Sequence, residues 1–402
     1  MGSPKKYAGY TSYSFLEPDV DYRVFDLAPQ LGRVPGVELG LSAVQQARAD
    51  RLLNDLLTIS LHDHPSVYPA DVLQTPDYQR TARHHTGYEG LSVSGLDVVF
   101  DNFMDGVGCV TSNMGWKWDD VVYDLGMRMS DLAKQDFVVL ATSVADLLGA
   151  RESGRLALVA GLEAATPIEN EVDRIDILYG FGVRQLGIAY SEANTLGSGL
   201  KERHDGGLTH FGVKCVRRMN RLGIAIDISH SGDRTSLDVV EASEHPVFIT
   251  HGGARALWPT KRMKPDVVIQ AVAARGGVIG IEAAPHTTLV RDRPTQDIES
   301  VMAHFEYCVG LVGIEHVAFG PDTLFGDHAS LHHAFAHTLA VKDLTATQDG
   351  PPAPAVDYVA GLENPAECFP NIVAWLVLHG YSDDEIRAVV GGNVLRVLEE
   401  VW

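Results

Sequence analysis

Eight short apolar runs alternate with longer amphipathic stretches along most of this chain. The runs are LLTISLHDH, LDVVFDNFMD, RLALVAGLEA, VRQLGIAYSE, GIAIDISHSG, PVFITHGG, GGVIGIEAA and HVAFGPDT. Several are rich in Val, Ile and Leu without polar alternation, the pattern of strands buried on both faces of a parallel sheet. THFGVKCVRRMNRLG and DVVIQAVAARGG lie between runs and read as helices, the second closing on Gly-Gly, a C-capping signal. Alternation of this kind implies right-handed βαβ units. Eight of them predict an α/β fold of the closed (β/α)8 TIM-barrel type. An open doubly wound sheet is the alternative, although no GxGxxG follows the first run to support its dinucleotide-binding form.

The domain organisation follows from what flanks the runs. Residues 1–50 are rich in Tyr, Pro and polar residues and read as an arm packed on a body. LSAVQQARADRLLNDLL then has helical apolar spacing, and residues 51–402 read as one barrel domain. Residues 324–370 are long for a βα loop and read as an excursion over the barrel mouth, a lid. Within it His332, His333 and His337 fall on a predicted helix, with His333 and His337 on one face. They are expected to support the metal ligands or the lid rather than bind metal, with a plain surface helix as the alternative. NIVAWLVLHGYSDDEIRAVVGGNVLRVLEEV supplies closing helices.

Composition excludes several functions. Apolar residues make up 45% of the 402, too many for a disordered chain. The charge is 32 − 53 = −21, which repels phosphate backbones and anionic lipid, so neither nucleic acid nor a membrane is an expected partner. Cys109, Cys215, Cys308 and Cys368 are widely spaced with no CxxC, which argues against disulfides or a thiolate zinc site and for a reducing compartment. No stretch approaches the ~18 apolar residues of a membrane span. A soluble cytoplasmic protein is expected.

The chemistry is concentrated where the runs end. The first ends in His62-Asp63-His64, the third in Glu163, the fifth in His230, the sixth in His251 and the eighth in Asp322. In a barrel all strand C-termini share one face, so these residues converge. Taken singly each has a plainer reading. Glu163 suits an ion pair with an Arg, Asp322 a helix N-cap, and any one His a satisfied polar position. Together they form a set of metal ligands. His62 and His64, two apart in a strand, point the same way. Five or six ligands exceed the needs of one tetrahedral ion, and two ions bridged by a carboxylate fit the count better. Such ligands suit zinc first, and also Mn, Fe or Co.

These residues carry a resemblance. GLTHFGVKCVRRMNRLGIAIDISHSGDRTSLDVVEASEHPVFITHGGARAL, GLEAATPIEN, HVAFGPDTLFGD and the closing helices together resemble the renal-type (membrane) dipeptidase family of the amidohydrolase superfamily, from about Leu57 onward. The resemblance implies a TIM barrel of the metal-dependent hydrolase type. It implies that Glu163 bridges two zinc ions, with His62 and His64 on one and His230 and His251 on the other. Asp322 would be catalytic, orienting the attacking water and shuttling its proton. Arg262 would clamp a substrate carboxylate, whereas its own setting, TKRMK, reads as surface charge.

Two positions depart from the family pattern. The family has H-x-D where this chain has His62-x-His64, which adds one positive charge to the metal site. Tyr190 stands where the family places a substrate-contacting histidine, with Glu192 and Asn194 just beyond as candidate pocket residues or plain loop residues. The expected activity is metal-dependent hydrolysis of a peptide or related amide bond next to a free carboxylate. The substrate would be dipeptide-like or acyl-amino-acid-like, and the protein a homo-oligomer. Lactone, N-acyl amino acid or carbamoyl hydrolysis, dinuclear Fe/Mn redox chemistry, and a non-catalytic binding barrel are the rivals.

Overall fold

The computed structural model describes residues 5–81, 83–103, 117–291, 293, 295–339 and 355–402, with side chains omitted over 336–339. The strands are β1 (Ile59–Val67), β2 (His85–Thr86), β3 (Val98–Asn102), β4 (Val138–Leu140), β5 (Leu156–Leu162) and β6 (Val183–Gly187). β7 (Ala225–Asp227), β8 (Phe248–Gly252), β9 (Val278–Ile281), β10 (Val317–Phe319) and β11 (Leu324–Phe325) follow. All eight apolar runs form strands. Every residue of β1 and β5 is buried, as strands covered on both faces require.

The sheet is mixed and mostly parallel, in the order β10-β9-β8-β7-β6-β5-β3-β1-β11. It curls as a half-barrel. Beyond β10 the chain changes partner: Gly320 N donates to Ile281 O (3.1 Å), then Asp322 N to His62 O (3.0 Å), and His64 N to Thr323 O (2.8 Å). β11 continues this pairing with β1. Asp63 pins the junction, accepting from Thr323 N (2.9 Å) and Oγ1 (2.7 Å) on one oxygen and from Ser60 Oγ (2.5 Å) on the other.

β2, β4 and β11 have no counterpart among the apolar runs. β2 is antiparallel to β1, and β4 lies on the first half of β5. Leu324 and Phe325 belong to this sheet rather than to the expected lid.

Helices join the strands. α1 (Ala43–Asp55) begins at a Ser42/Gln45 capping box. α2 (Thr75–Arg80), α3 (Tyr88–Val93), α4 (Trp118–Leu132), α5 (Val144–Glu152) and α6 (Arg174–Gly180) come next. α7 (His210–Leu222) opens with Thr209 capping Gly212 N and stops at Gly223, whose φ of +74° is the left-handed cap that glycine favours. α8 (Asp233–Ala242), α9 (Asp266–Ala274) and α10 (Ile298–Val312) complete the crossovers. α11 (His328–Leu339) lies in the expected excursion, and α12 (Pro365–Leu378) already begins inside it. Residues 340–354, the middle of the proposed lid, lie outside the described residues, as does Cys109. α13 (Asp383–Arg387) and α14 (Asn393–Val401) follow.

Two cores result. Outside the sheet, Leu158, Ile226, Ile249 and Phe319 pack with helix residues such as Val216, Val239, Val268 and Phe305. Inside, near the strand N-termini, Ile59, Leu61, Val98, Phe100, Val159 and Phe248 meet Val394, Val397, Leu398 and Val401 of α14. That spacing is one face of a helix, and α14 plugs this end. The N-terminal segment lies against the body. Tyr13 is buried and its N–H donates to Asp131 (2.8 Å), while Ala28 N donates to Tyr68 O (2.9 Å). Among the described residues no helix is long and apolar enough to cross a membrane. Cys215, Cys308 and Cys368 are free and buried.

Candidate metal centre

His62 and His64 project from β1, Glu163 follows β5, His230 follows β7, His251 lies in β8 and Asp322 stands between β10 and β11. The structure brings all six together. His62 Nε2 lies 3.3 Å from His64 Nε2 and 3.2 Å from Asp322 Oδ1. Asp322 Oδ1 is also 3.4 Å from His64 Nε2. His230 Nε2 is 2.9 Å from His251 Nε2. Glu163 stands between the pairs. Its Oε1 faces His64 (3.4 Å) and His62 (3.9 Å), and its Oε2 faces His230 (3.5 Å). Gly187, ending β6, permits this placement, because a Cβ there would lie 1.8 Å from the Glu163 carbonyl oxygen. Asp322 has φ +58°, a left-handed conformation at a strand break rather than an N-cap.

Neighbouring groups orient the imidazoles. Thr250 Oγ1 is 2.8 Å from His251 Nδ1 and 3.1 Å from Ser229 Oγ, which donates to Asp227 (2.6 Å). Nδ1–H of His251 can donate into this chain, leaving its Nε2 lone pair to face the centre. The Asn102 amide nitrogen lies 2.6 Å from His62 Nδ1, and the amide oxygen has no partner. Turned over, that amide accepts the Nδ1–H and frees Nε2 in the same way.

The electrostatics suit a cation. Burial pushes the His62 imidazole down and those of His230 and His251 well below their usual range, so they are neutral donors at neutral pH. Burial alone would raise the Asp322 carboxyl, but His62, His64 and His251 around it hold it well below the usual carboxylate range. Imidazole nitrogens on one tetrahedral zinc stand about 3.3 Å apart, given Zn–N near 2.0–2.1 Å. Both histidine pairs have close to that spacing. His62, His64 and Asp322 form one compact donor group, His62, Glu163 and His251 a second, and His251, Glu282 and Asp322 a third.

Tyr190 stacks on His230 with ring centroids 4.0 Å apart. Arg262 is not a surface charge. It is 4% exposed, and its guanidinium pairs with Glu282 and donates to the His251 carbonyl (3.3 Å). Asn194 is a loop residue, donating to Ile188 O (2.7 Å) and Thr166 Oγ1 (3.1 Å), and Glu192 is exposed. In α11, His333 Nε2 meets His286 Nε2 at 3.1 Å. Burial pushes the half-buried His332 well down. The His337 side chain lies outside the described residues.

Glu282 has no place in the sequence reading. It ends β9, is fully buried, and burial pushes its carboxyl up to about 7 against the pull of Arg262. The signal was an apolar run ending in a carboxylate, GGVIGIEAA, the same as at Glu163.

Imidazoles and carboxylates gathered at the carboxyl ends of a curled parallel sheet are a donor set suited to divalent metal ions. The chain belongs to the membrane dipeptidase family, peptidase family M19, whose model matches residues 46–347 and 353–402. It is 28% identical over 270 residues to dipeptidase aclJ of Aspergillus oryzae, covering 66% of this chain and 57% of that protein. It is 29% identical over 281 residues to dipeptidase tcpJ of Claviceps purpurea, covering 69% and 58%. The chain thus spans somewhat under three fifths of these curated relatives. An amidohydrolase structure from Pseudomonas aeruginosa matches with TM-score 0.71 and 24% identity, covering 88% of this chain and 99% of that one. A metallopeptidase from Rhodobacter sphaeroides, solved with a phosphinate mimic of the dipeptide L-Ala-D-Ala, matches with TM-score 0.66 and 18% identity, covering 86% and 99%. These two likenesses establish the shared fold.

Proposed function

We propose that this protein is a dipeptidase-like hydrolase that uses two divalent metal ions, zinc first among them, on a closed (β/α)8 barrel. One observation carries the reading: the two oxygens of Glu163 face different histidine sets. His62 and His64 would hold one ion, His230 and His251 the other, and Glu163 both. Closure of the ring is supported by the switch of the chain from β9 to β1 between β10 and β11. Residues 1–50 as an arm on a single domain 51–402 accord with the contacts of Tyr13 and Ala28. A reducing, cytoplasmic setting suits the free cysteines.

When bound, the ions would polarise the scissile carbonyl and lower the pKa of water at the site. The remaining work falls to the chain. Asp322, ionised and beside His62 and His64, takes the proton of the attacking water and returns it to the leaving amine. Its left-handed backbone, held by the His62 carbonyl, aims the carboxylate at the centre. Tyr190 covers the His230 ring and would meet the substrate on that side. Arg262 anchors a substrate carboxylate with donors not taken by Glu282 and His251, since a guanidinium has five. The substrate class is thus a dipeptide or an N-acyl amino acid.

The test is a hydrolysis panel of dipeptides and acyl-amino acids with Zn²⁺, Mn²⁺ and Co²⁺, with metal analysis of the purified protein. Two ions per chain and turnover of a member of the panel are expected. Full metal occupancy without hydrolysis would leave a binding barrel instead. Bound iron or manganese with oxygen consumption would point to redox chemistry.

A further inference from the structure

We infer that Glu282 is a further protein ligand of this centre, belonging to the ion held by His230 and His251, and that it restores the negative charge missing at His64. The inference rests on the two-ion reading.

Its geometry comes from three adjacent strands. β8 carries His251, β9 ends at Glu282, and Asp322 follows β10. Donor atoms of these three residues lie within 4.8 Å of one another. The backbone is pinned, with Glu282 N donating to Gly252 O (2.9 Å) and Thr288 Oγ1 donating to Glu282 O (3.0 Å). The side chain is fully buried. One carboxylate oxygen, Oε2, takes Arg262, while Oε1 has no hydrogen-bond partner. The Thr287 hydroxyl lies beside this carboxylate and favours its charged form, but its one proton is directed to Ala284 O (2.6 Å), so it does not satisfy Oε1. A buried carboxylate oxygen left without a donor is costly, and a cation at the His251 corner removes that cost.

Charge supports the same assignment. The four histidines are neutral as ligands, so Glu163 and Asp322 alone set two negative charges against two divalent ions. Arg262, reaching the His251 carbonyl, adds another positive charge beside them. Glu282 offsets one of these charges from within the donor set. An ion pair with Arg262 would account for Oε2 alone. Ligation accounts for both oxygens.

The experiment uses apo-protein titrated with Zn²⁺ by calorimetry, and the visible spectrum of the Co²⁺-loaded protein, which reports coordination number without any need for turnover. Glu282→Gln should weaken one of the two binding steps by about tenfold or more, leave the other in place and change the Co²⁺ band intensity. Glu282→Asp, which keeps the charge, should recover part of the affinity. Thermal unfolding of each apo-variant checks that it is folded. The double variant E282Q/R262M separates ligation from mere pairing with Arg262. If Glu282 is a ligand, the double variant stays weak. Recovery of wild-type affinity in it, or wild-type binding by E282Q alone, would overturn the inference. Wild-type protein that takes up a single ion would sink the two-ion reading, and E282Q would then still decide whether Glu282 holds that ion.

Discussion

At the start of β8, Phe248 packs among Ile59, Phe100 and the closing helix; three residues later on the same strand, His251 faces His62, His230 and Glu282. β1 repeats the contrast, with Ile59 and Leu61 at one end and His62 and His64 at the other. The apolar end is a sealed core whose residues are interchangeable by volume and hydrophobicity. The polar end holds buried groups whose partners are other buried polar groups, or absent, as at Glu282 Oε1. One end stores stability and the other spends part of it on a site. A curled parallel sheet divides its labour in this way.

The predictions probe that division, beginning at the polar rim. Glu163→Ala should abolish hydrolysis and lower metal content, because its two oxygens face different histidine pairs; a variant with two ions and full turnover would falsify the bridging role. Asp322→Asn should keep both ions, by metal analysis, and lose about 10²–10⁴-fold in kcat, since the amide cannot accept a proton. Retention of kcat would move the proton shuttle elsewhere. His230→Ala and His251→Ala should each halve metal stoichiometry. Loss of both ions in either variant would mean that the positions fill only together.

At the other rim, Phe248→Ala should cost about 3–5 kcal/mol in urea unfolding while metal stoichiometry stays at the wild-type level. If it emptied the site, the two ends would not be separable. A further effect is expected at Lys264, fully buried, with Nζ donating to Ser231 O (2.7 Å). Burial pushes it down to about 7. Between about pH 7 and its ordinary value near 10.5 the unfolded chain binds the extra proton, so stability should rise with pH there. Lys264→Met should remove that slope from denaturation midpoints measured between pH 7 and 10.

The same contrast explains what could be read from the sequence. Strands buried on both faces announce themselves as continuous apolar runs, so all eight were legible, and so were the ligand residue types at their ends. β4 and β11, three and two residues long, are too short to leave a pattern. β11 exists because Thr323 binds Asp63, a contact between residues far apart in sequence. Arg262 and Lys264 were not legible as buried groups, because TKRMK resembles any solvated loop and only the tertiary partners Glu282 and Ser231 distinguish it. Glu282 carried the same signal as Glu163.

The pairing of β1 with β11 also bears on how the molecule assembles. Asp63 and Thr323 are separated by 260 positions. Contacts so distant form late, because chain closure must precede any gain from them, and folds dominated by them are slow. During synthesis His62 and His64 emerge long before Asp322 exists. The early chain holds only fragments of the donor set, and the fragments meet when the last strand returns to the first. Occupation of the His62–His64 position would therefore be a readout of completed folding. A chain stalled before that final pairing would remain ion-poor, and its exposed strand edges would be open to aggregation.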